Sequence, residues 1–510
     1  MNKFLKAVFE TSFGTFMSRI SGYLRDIFIA KYIGSGLYSD VFFMAFKIPN
    51  FFRKITAEGA LSSAFVPIFV NGLTMHGQKK MFAFARNIFS ILFYSLIVFT
   101  IFAEIFMPQL MTLFAPGYDG EKMQFVILLT KITFPYLIFI SLVALMSGIL
   151  NSYNKFLVTS LCPVILNLSL IFFAVVSKNL SQGKIVLFLS FGVLFSGLFQ
   201  LLYMIFFVVK MKLLLFPVIP HWSTQTKQFF GKFWHTFLAS GIVQINSFIS
   251  SVVATLIPGA VSMLYYSDRV TQFPLSLIGT TIGVSILPHL SKALGKSGDN
   301  AEAQQLQESS FFLSLFFGLP SAIGLYMLAQ PIVALLFERG QFTTIDTVNV
   351  ATIIQIYSLS VPFYIFSKIL NAIFYAKKDT KTPMRISLIN LMINVILSVL
   401  LVRDYETNGI AFAGVVATII STILLFYALC RDSLFLMTEQ FKLKVLKTIY
   451  ASIIMGVTIL CIRIAIEKLL WGDIWQLLIA GGMGGCMFLF LSQAMGIVNL
   501  FELVDLFRRK

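Results

Sequence analysis

Charge is what this chain has least of. Only 12% of its 510 residues are Asp, Glu, Lys or Arg, while 58% are apolar. A soluble domain carries about twice that charged share, and with a mean hydropathy of +0.87 a water-soluble fold is excluded. Acid is scarcer than base: 22 Asp and Glu stand against 39 Lys and Arg, a formal charge of +17. In a soluble protein that balance would suggest nucleic acid. In a membrane chain the accumulation of Lys and Arg in cytoplasmic loops accounts for it, and no nucleic-acid partner is expected. Cysteine is nearly absent, and Cys162, Cys430, Cys461 and Cys486 all lie in apolar stretches without paired spacing. That excludes a disulfide framework and reads as small core residues. His76, His221, His235 and His289 show no metal-ligand spacing. Carboxylate pairs, nucleophile triads and metal constellations are missing, so neither a catalytic nor a metal site is expected. The opening MNKFLKAVFETSFGTFMSR has Lys3 and Lys6 but no long apolar run or small-residue cleavage site, so no removable signal peptide is expected.

What remains is one apolar run after another. Segments bounded by charge, Pro or Gly fall near 9–33, 37–70, 86–110, 123–150, 156–177, 185–208, 229–257, 260–288, 309–337, 348–374, 384–402, 409–430, 445–466 and 474–496. At roughly 20 apolar residues per crossing, they predict an all-α polytopic membrane protein with about 14 transmembrane helices. An even count puts both termini on one side. With that side cytoplasmic, the outside loops hold only Lys122, Lys178, Lys184, Arg339, Arg403 and Lys468, and the positive-inside rule selects this orientation.

A weak repeat organises the segments. Leu113-Phe114 begins a polar turn, followed by a helix with Pro135, a basic loop at Asn154-Lys155 and a helix with Asn167. Leu336-Phe337 begins the same order, with Pro362, Lys377-Lys378 and Asn390. Lys47 before Pro67 likewise matches Arg269 before Pro288. A six-helix repeat preserves topology, which implies two lobes related about an axis normal to the membrane. The expected division is an N-lobe at 1–208, a cytoplasmic linker at 209–228, a C-lobe at 229–431, and two further helices in 432–510. The linker carries Lys210, Lys212, Pro217, Pro220 and Lys227.

Basic residues nevertheless stand inside the predicted helices: Arg19, Arg25, Lys31, Lys47, Arg53, Lys54, Lys131, Arg269, Lys368 and Arg463. Each costs about 2.5–3.5 kcal/mol at the bilayer centre on insertion scales, so a sequence keeps them where they face water or an anion. Ser12, Thr15, Ser18, Arg19, Gly22 and Asp26 share a helical face by three- and four-residue steps, with Arg25 beside it. This face is expected to line a polar cavity; the alternative is a structural ion pair of Arg19 or Arg25 with Asp26. In the second segment Asp40, Lys47, Asn50, Arg53 and Glu58 decorate a backbone loosened by Pro49 and Gly59, while Lys31 and Lys54 read as interfacial. Asp268 and Arg269 sit mid-segment at the second-repeat position corresponding to Lys47, so basic groups from both lobes are expected to converge. Arginine's planar fork suits phosphate oxygens bidentately, which points to a phosphate or diphosphate ligand. Lys131 and Lys368, one in each lobe, read equally as helix-end partners and as functional groups.

Four stretches resemble one family. SRISGYLRD at 18–26, SDVFFMAFKIPNFFRKITAEGALSSAFVPIF at 39–69, KITFPYL at 131–137 and YYSDRVTQFP at 265–274 are similar to the MviN/MurJ lipid II flippases, and the likeness extends over essentially the whole chain. The resemblance implies the MOP exporter superfamily: two six-helix MATE-like lobes plus two C-terminal helices, expected to form a groove for a lipid tail. It implies a transporter of the bacterial cytoplasmic (inner) membrane, not an enzyme. Its cargo would be the undecaprenyl-diphosphate-linked muropeptide of peptidoglycan synthesis, carried from the inner to the outer leaflet. The phospholipid bilayer and other cell-wall synthesis proteins would be its partners. No cofactor is implied; the membrane potential would drive transport, and the coupling ion stays open. By motif, the substrate-binding arginines fall on Arg19, Arg25, Arg53 and Arg269, with Asp26, Asp40, Lys47, Asn50, Glu58 and Asp268 as a polar network. Gln272 stands where the family often has an acid, and 229–257 lacks the acid some members use for sodium, so no sodium site is carried over. A flippase for another polyprenyl-diphosphate glycan is the alternative; a MATE-type drug/ion antiporter is a more distant one.

Overall fold

A computed structural model describes residues 3–55, 61–279, 290, 300–377, 379–431, 438–468 and 472–498. Glu58, Gly59, Pro288, His289 and Lys378 lie outside the described residues. Among the described residues every regular element is helical, as a bilayer demands, because a spanning segment must satisfy its own backbone polar groups. The helices are α1 (Lys3–Ile33), α2 (Leu37–Arg53), α3 (Ser62–Ile105), α4 (Met107–Phe114), α5 (Gly120–Thr133), α6 (Tyr136–Ser152), α7 (Phe156–Val176) and α8 (Gln182–Lys210). They continue as α9 (Thr224–Ala254), α10 (Ala260–Pro274), α11 (Asn300–Phe337), α12 (Thr344–Ser358), α13 (Val361–Ala376), α14 (Lys381–Arg431) and α15 (Glu439–Lys468). The last, α16, is Asp473–Ala494, with a π-helical stretch at Gln476–Gly481.

Among the described residues eight helices are long and apolar enough to cross a membrane, or nine if α12 and α13, bent by 45°, form one span. The fourteen apolar segments and these helices do not match one to one, for a local reason. The chain of α3 turns at Gly77 (φ 76°), so α3 carries the end of one expected segment and most of the next. α14 turns at Glu406 (φ 48°) and takes up both 384–402 and 409–430.

By contacts the chain divides into two compact units. The first is Met1–Ser262 with Arg339–Phe342; the second is Met263–Glu338 with Thr343–Lys510. In the first, α1 lies along α7 and α7 along α8. A Cβ on Gly14 of α1 would stand 2.0 Å from Ser160 Oγ of α7, so only glycine permits this approach. Val41, Phe42, Met44 and Ala45 of α2 are fully buried, and Pro49 interrupts the helix. A proline removes the donor for the carbonyl four residues earlier; here that is Ala45, and Thr133 Oγ1 of α5 donates to it at 3.0 Å. The non-helical stretch after α8 is tied to α3: Asn87 Nδ2 donates to His221 O at 2.7 Å, and His221 N donates to Asn87 Oδ1 at 2.9 Å. α9, which opens the second repeat in the sequence, packs on α3 and α2.

In the second unit α11 packs against α12, α13 and α15, and α16 packs against α15. Phe316 and Leu328 of α11 share an apolar core with Met455 and Ile459 of α15 and with Ala480 and Phe488 of α16. The expectation that all four cysteines are core residues holds for Cys162 alone. Cys430, Cys461 and Cys486 are exposed, and all four are free. Lipid tails are as apolar as leucine, so a small apolar side chain in a membrane helix need not be covered by protein. The same reasoning accounts for Phe172, Phe206, Leu446 and Phe490, all more than half exposed.

Candidate functional site

The first polar cluster is built where α1 meets α7. Arg25 is buried at 7% exposure and Asp26 at 0%. Arg25 donates from Nε and Nη2 to Asp26 Oδ1 at 2.9 and 2.6 Å, and from Nη1 to Asn167 Oδ1 of α7 at 3.0 Å. Asn167 in turn donates from Nδ2 to Ser18 O at 3.1 Å and to Ser21 Oγ at 2.9 Å. The guanidinium is held on both sides, so its plane is fixed. A carboxylate and an amide oxygen offset its charge, which is how a buried cation avoids the desolvation cost of isolation. The structural ion pair of Arg25 with Asp26 is therefore present. Arg19, on the same helix, is half-buried.

A second cluster follows the cytoplasm-directed half of α2 in the sequence-derived orientation. Lys47, Asn50, Phe51 and Lys54 are spaced three, four and seven residues apart, so they share one helical face. With Gln244 and Phe248 of α9 they line a small polar recess. Lys47 donates from Nζ to Ser251 Oγ of α9. Arg53 donates from Nε to Asn50 Oδ1 at 3.0 Å, and Asn50 Nδ2 donates to Phe46 O at 2.9 Å. The rings of Phe51 and Phe248 meet at 4.7 Å between centroids and close one side of the recess. Chemically this is a cation-rich face with an amide donor beside it, suited to an anion with several oxygens. Lys54 is exposed, in keeping with an interfacial role.

Asp40 lies apart from both clusters and is fully buried. Its carboxylate accepts from Gly259 N at 2.7 Å, Ser262 N at 2.9 Å and Ser262 Oγ at 2.8 Å, and Lys122 Nζ stands 3.7 Å away. Gly259 immediately precedes α10 and Ser262 lies in its first turn, where backbone N–H groups have no helical acceptor and the helix dipole favours an anion. Asp40 thus caps α10 from another helix, in a packed seam. Asp268 and Arg269, on α10 in the second unit, are exposed and half-buried respectively; Gln272 Nε2 donates to Asp268 Oδ2. The residue that stands at the family's acid position thus holds a neighbouring acid. Lys131 is exposed, and Lys368 is exposed with its ammonium 4.9 Å from the Tyr364 ring centroid.

The structure brings together Arg25 with Asp26, and Lys47 with Asn50 and, through Asn50, Arg53. It sets Asp40 apart, and Glu58 is outside the described residues. Four participants escaped the sequence reading: Asn167 as the partner of Arg25, and Gln244, Phe248 and Ser251 as the α9 side of the recess. Asn167 carried a signal, since a lone amide in an apolar helix requires a partner. The α9 residues carried none, because polar residues recur along that helix without period.

Comparison with known proteins points one way. The family described as "Lipid II flippase MurJ" matches residues 29–479. A "Probable lipid II flippase MurJ" of Rickettsia prowazekii is 39% identical over 464 residues, covering 90% of this chain and 89% of the relative. One from Rhizobium tropici is 36% identical, covering 82% and 79%. Among solved structures, "Lipid II flippase MurJ, inward closed conformation" is similar at a TM-score of 0.80 with 28% identity, over 95% of this chain and 98% of that one. An inward-facing multidrug resistance MATE family transporter shares the fold at a TM-score of 0.67 with 12% identity, over 82% and 95%.

Proposed function

Because the chain belongs to the MurJ lipid II flippase family, we propose that it carries lipid II, the undecaprenyl-diphosphate-linked muropeptide, from the inner to the outer leaflet of the bacterial cytoplasmic membrane. It is a multi-pass membrane transporter and not an enzyme. The observation that carries the proposal is the cationic face of α2, Lys47, Asn50 and Lys54 with Arg53 alongside, over a recess closed by α9. That face offers charge-assisted donors to diphosphate oxygens, and nothing in it suits a cationic drug. Arg19, Arg25 and Arg269 enter this proposal on the sequence argument alone, and Arg25 is bound in the structure to Asp26 and Asn167. The lipid tail stays outside the polar recess and runs along α15 and α16, whose outer faces are apolar.

Transport by alternating access, with both termini in the cytoplasm, then needs only an opening that changes sides. The inside-negative potential supplies direction. A diphosphate near two negative charges moving outward across the full field gains roughly 4–5 kcal/mol per 100 mV. The emptied, net-positive site is drawn back inward by the same field. The deciding test is translocation by the purified protein in liposomes. Lipid II should be flipped, and an undecaprenyl diphosphate bearing an unrelated glycan should not. Equal rates for both would favour the broader polyprenyl-diphosphate reading, and cation efflux in place of either would reject the proposal.

A further inference from the structure

Arg463 is an intramembrane arginine that the anion site does not use. It stands on α15, and its partner is a backbone group. Pro331 interrupts α11; lacking an N–H, it leaves the carbonyl of Met327, four residues earlier, without a helical donor. Arg463 Nη1 donates to that Met327 carbonyl, while its Nη2 is 3.1 Å from Glu467 Oε1 one turn on. The neighbouring carbonyl, Tyr326 O, accepts from Gln355 Nε2 of α12 at 3.3 Å. Two helices therefore supply side-chain donors to adjacent carbonyls at one proline break. At the other end of α15, Lys447 Nζ donates at 2.8 Å to Met495 O, a carbonyl at the C-terminal end of α16. The same device occurs independently in the first unit, where Thr133 serves the carbonyl freed by Pro49.

We propose that Arg463 is a positioning residue: it supplies the donor that Pro331 removes, and so fastens the C-terminal helix pair α15–α16 to the bend of α11. The reason lies in the solvent. Water cannot reach such a carbonyl in hydrocarbon, and neighbouring helices must satisfy backbone groups freed by proline. A guanidinium delivers that donor from Nη1 and still pairs with Glu467 through Nη2. A Lys at this position could do only one of the two at full strength. The pair then moves with α11 as one body. Under the flippase reading, on which this last step rests, a tail lying along α15 and α16 keeps its place relative to that body through the transport cycle.

The test is a cycle of four proteins, native, R463M, P331A and P331A/R463M, with R463K and E467Q alongside. Spin labels on the exposed Tyr326 and Leu460 positions, in a background with all four cysteines changed to Ser, report the distance between α11 and α15. Lipid II translocation in liposomes reports turnover and apparent affinity separately. R463M should broaden the distance distribution and lower turnover by at least about tenfold, the weight of a lost charge-assisted hydrogen bond, with affinity unchanged. R463K should recover part of both. P331A returns an N–H to the Met327 carbonyl, so P331A/R463M should recover the thermal stability that R463M loses but keep its broadened distances and slow turnover, because neither protein fastens α15 to α11. A double variant with native distances, or one no more stable than R463M, would overturn the proposal. So would E467Q reproducing the R463M broadening, since the ion pair alone would then be the cause. Should R463M fail to fold, folding of P331A/R463M supports the proposal and its failure overturns it. If the native protein moves no lipid II while the distances follow the cycle, the flippase reading fails and the positioning role stands.

Discussion

Arg25 and Arg53 are both arginines in apolar helices, yet their surroundings assign them different work. Arg25 spends three of its N–H groups on Asp26 and Asn167 inside the α1–α7 seam; Arg53 is half-buried beside a recess. Asn167→Ala removes the amide acceptor of one Arg25 nitrogen and the amide donor to the Ser21 hydroxyl. It should lower stability by about 1–3 kcal/mol, measured by thermal unfolding in detergent, and should slow transport because the guanidinium plane is no longer held. Arg25→Ala and Arg269→Ala should abolish lipid II translocation, while Lys at either position restores only part, since a point charge cannot replace a fork. Full activity of the Ala variants would reject the anion clamp. The sequence located Arg25 and Asp26 because their cost in lipid is large and local. It was silent on Asn167 as their partner, because that contact joins residues 142 apart and no periodicity encodes a register between two helices.

At the scale of elements, apolar length was legible and the breaks were less so. Pro49 was visible as a loosening of its helix, while Pro135 was legible only as a repeat marker within one segment, and Glu406 turns the chain with φ 48° at a residue type that announces nothing. The start of α14 shows what local chemistry can add. Asp379 Oδ1 accepts from Lys381 N at 2.9 Å and Thr382 N at 3.1 Å, satisfying donors that the helix itself cannot. The Thr382 hydroxyl, first, and these N–H groups hold the Asp379 carboxyl below its ordinary value of 3.8. A carboxylate depressed in the folded state contributes stability that is present above the unfolded value and lost as pH falls through the folded one. Asp379→Ala should therefore cost about 0.5–1 kcal/mol near neutral pH, at the low end for a cap because the site is exposed. The gap to the native protein should close as the pH drops below about 4. Unfolding measured at pH 7 and pH 3 checks the sign, and a gap that widens in acid would contradict it.

For the whole molecule the strongest expectation concerns energy. Collapsing the membrane potential with an ionophore while ion gradients are kept should stop lipid II translocation; an unchanged rate would remove the potential as the drive. The class of molecule was legible from the outset, since composition alone excludes water as the solvent, and the family followed from motifs in the first two helices and in α10. The contact-defined units were not legible, because α9 belongs by sequence order to the second repeat and by packing to α3 and α2. Asp40 carries a consequence for how the chain is made. Its backbone donors, Gly259 and Ser262, are encoded 219 and 222 residues later. At about 5–20 residues per second, translation takes roughly 11–44 s to reach them. Lys122, itself made later than Asp40, is the one partner of Asp40 described here that precedes α10, so until then the carboxylate lacks three donors. The helix synthesised second should therefore reach its final seat only after α10 has been made, and a chain cut before Gly259 should leave Asp40 open to a water-soluble carboxyl reagent.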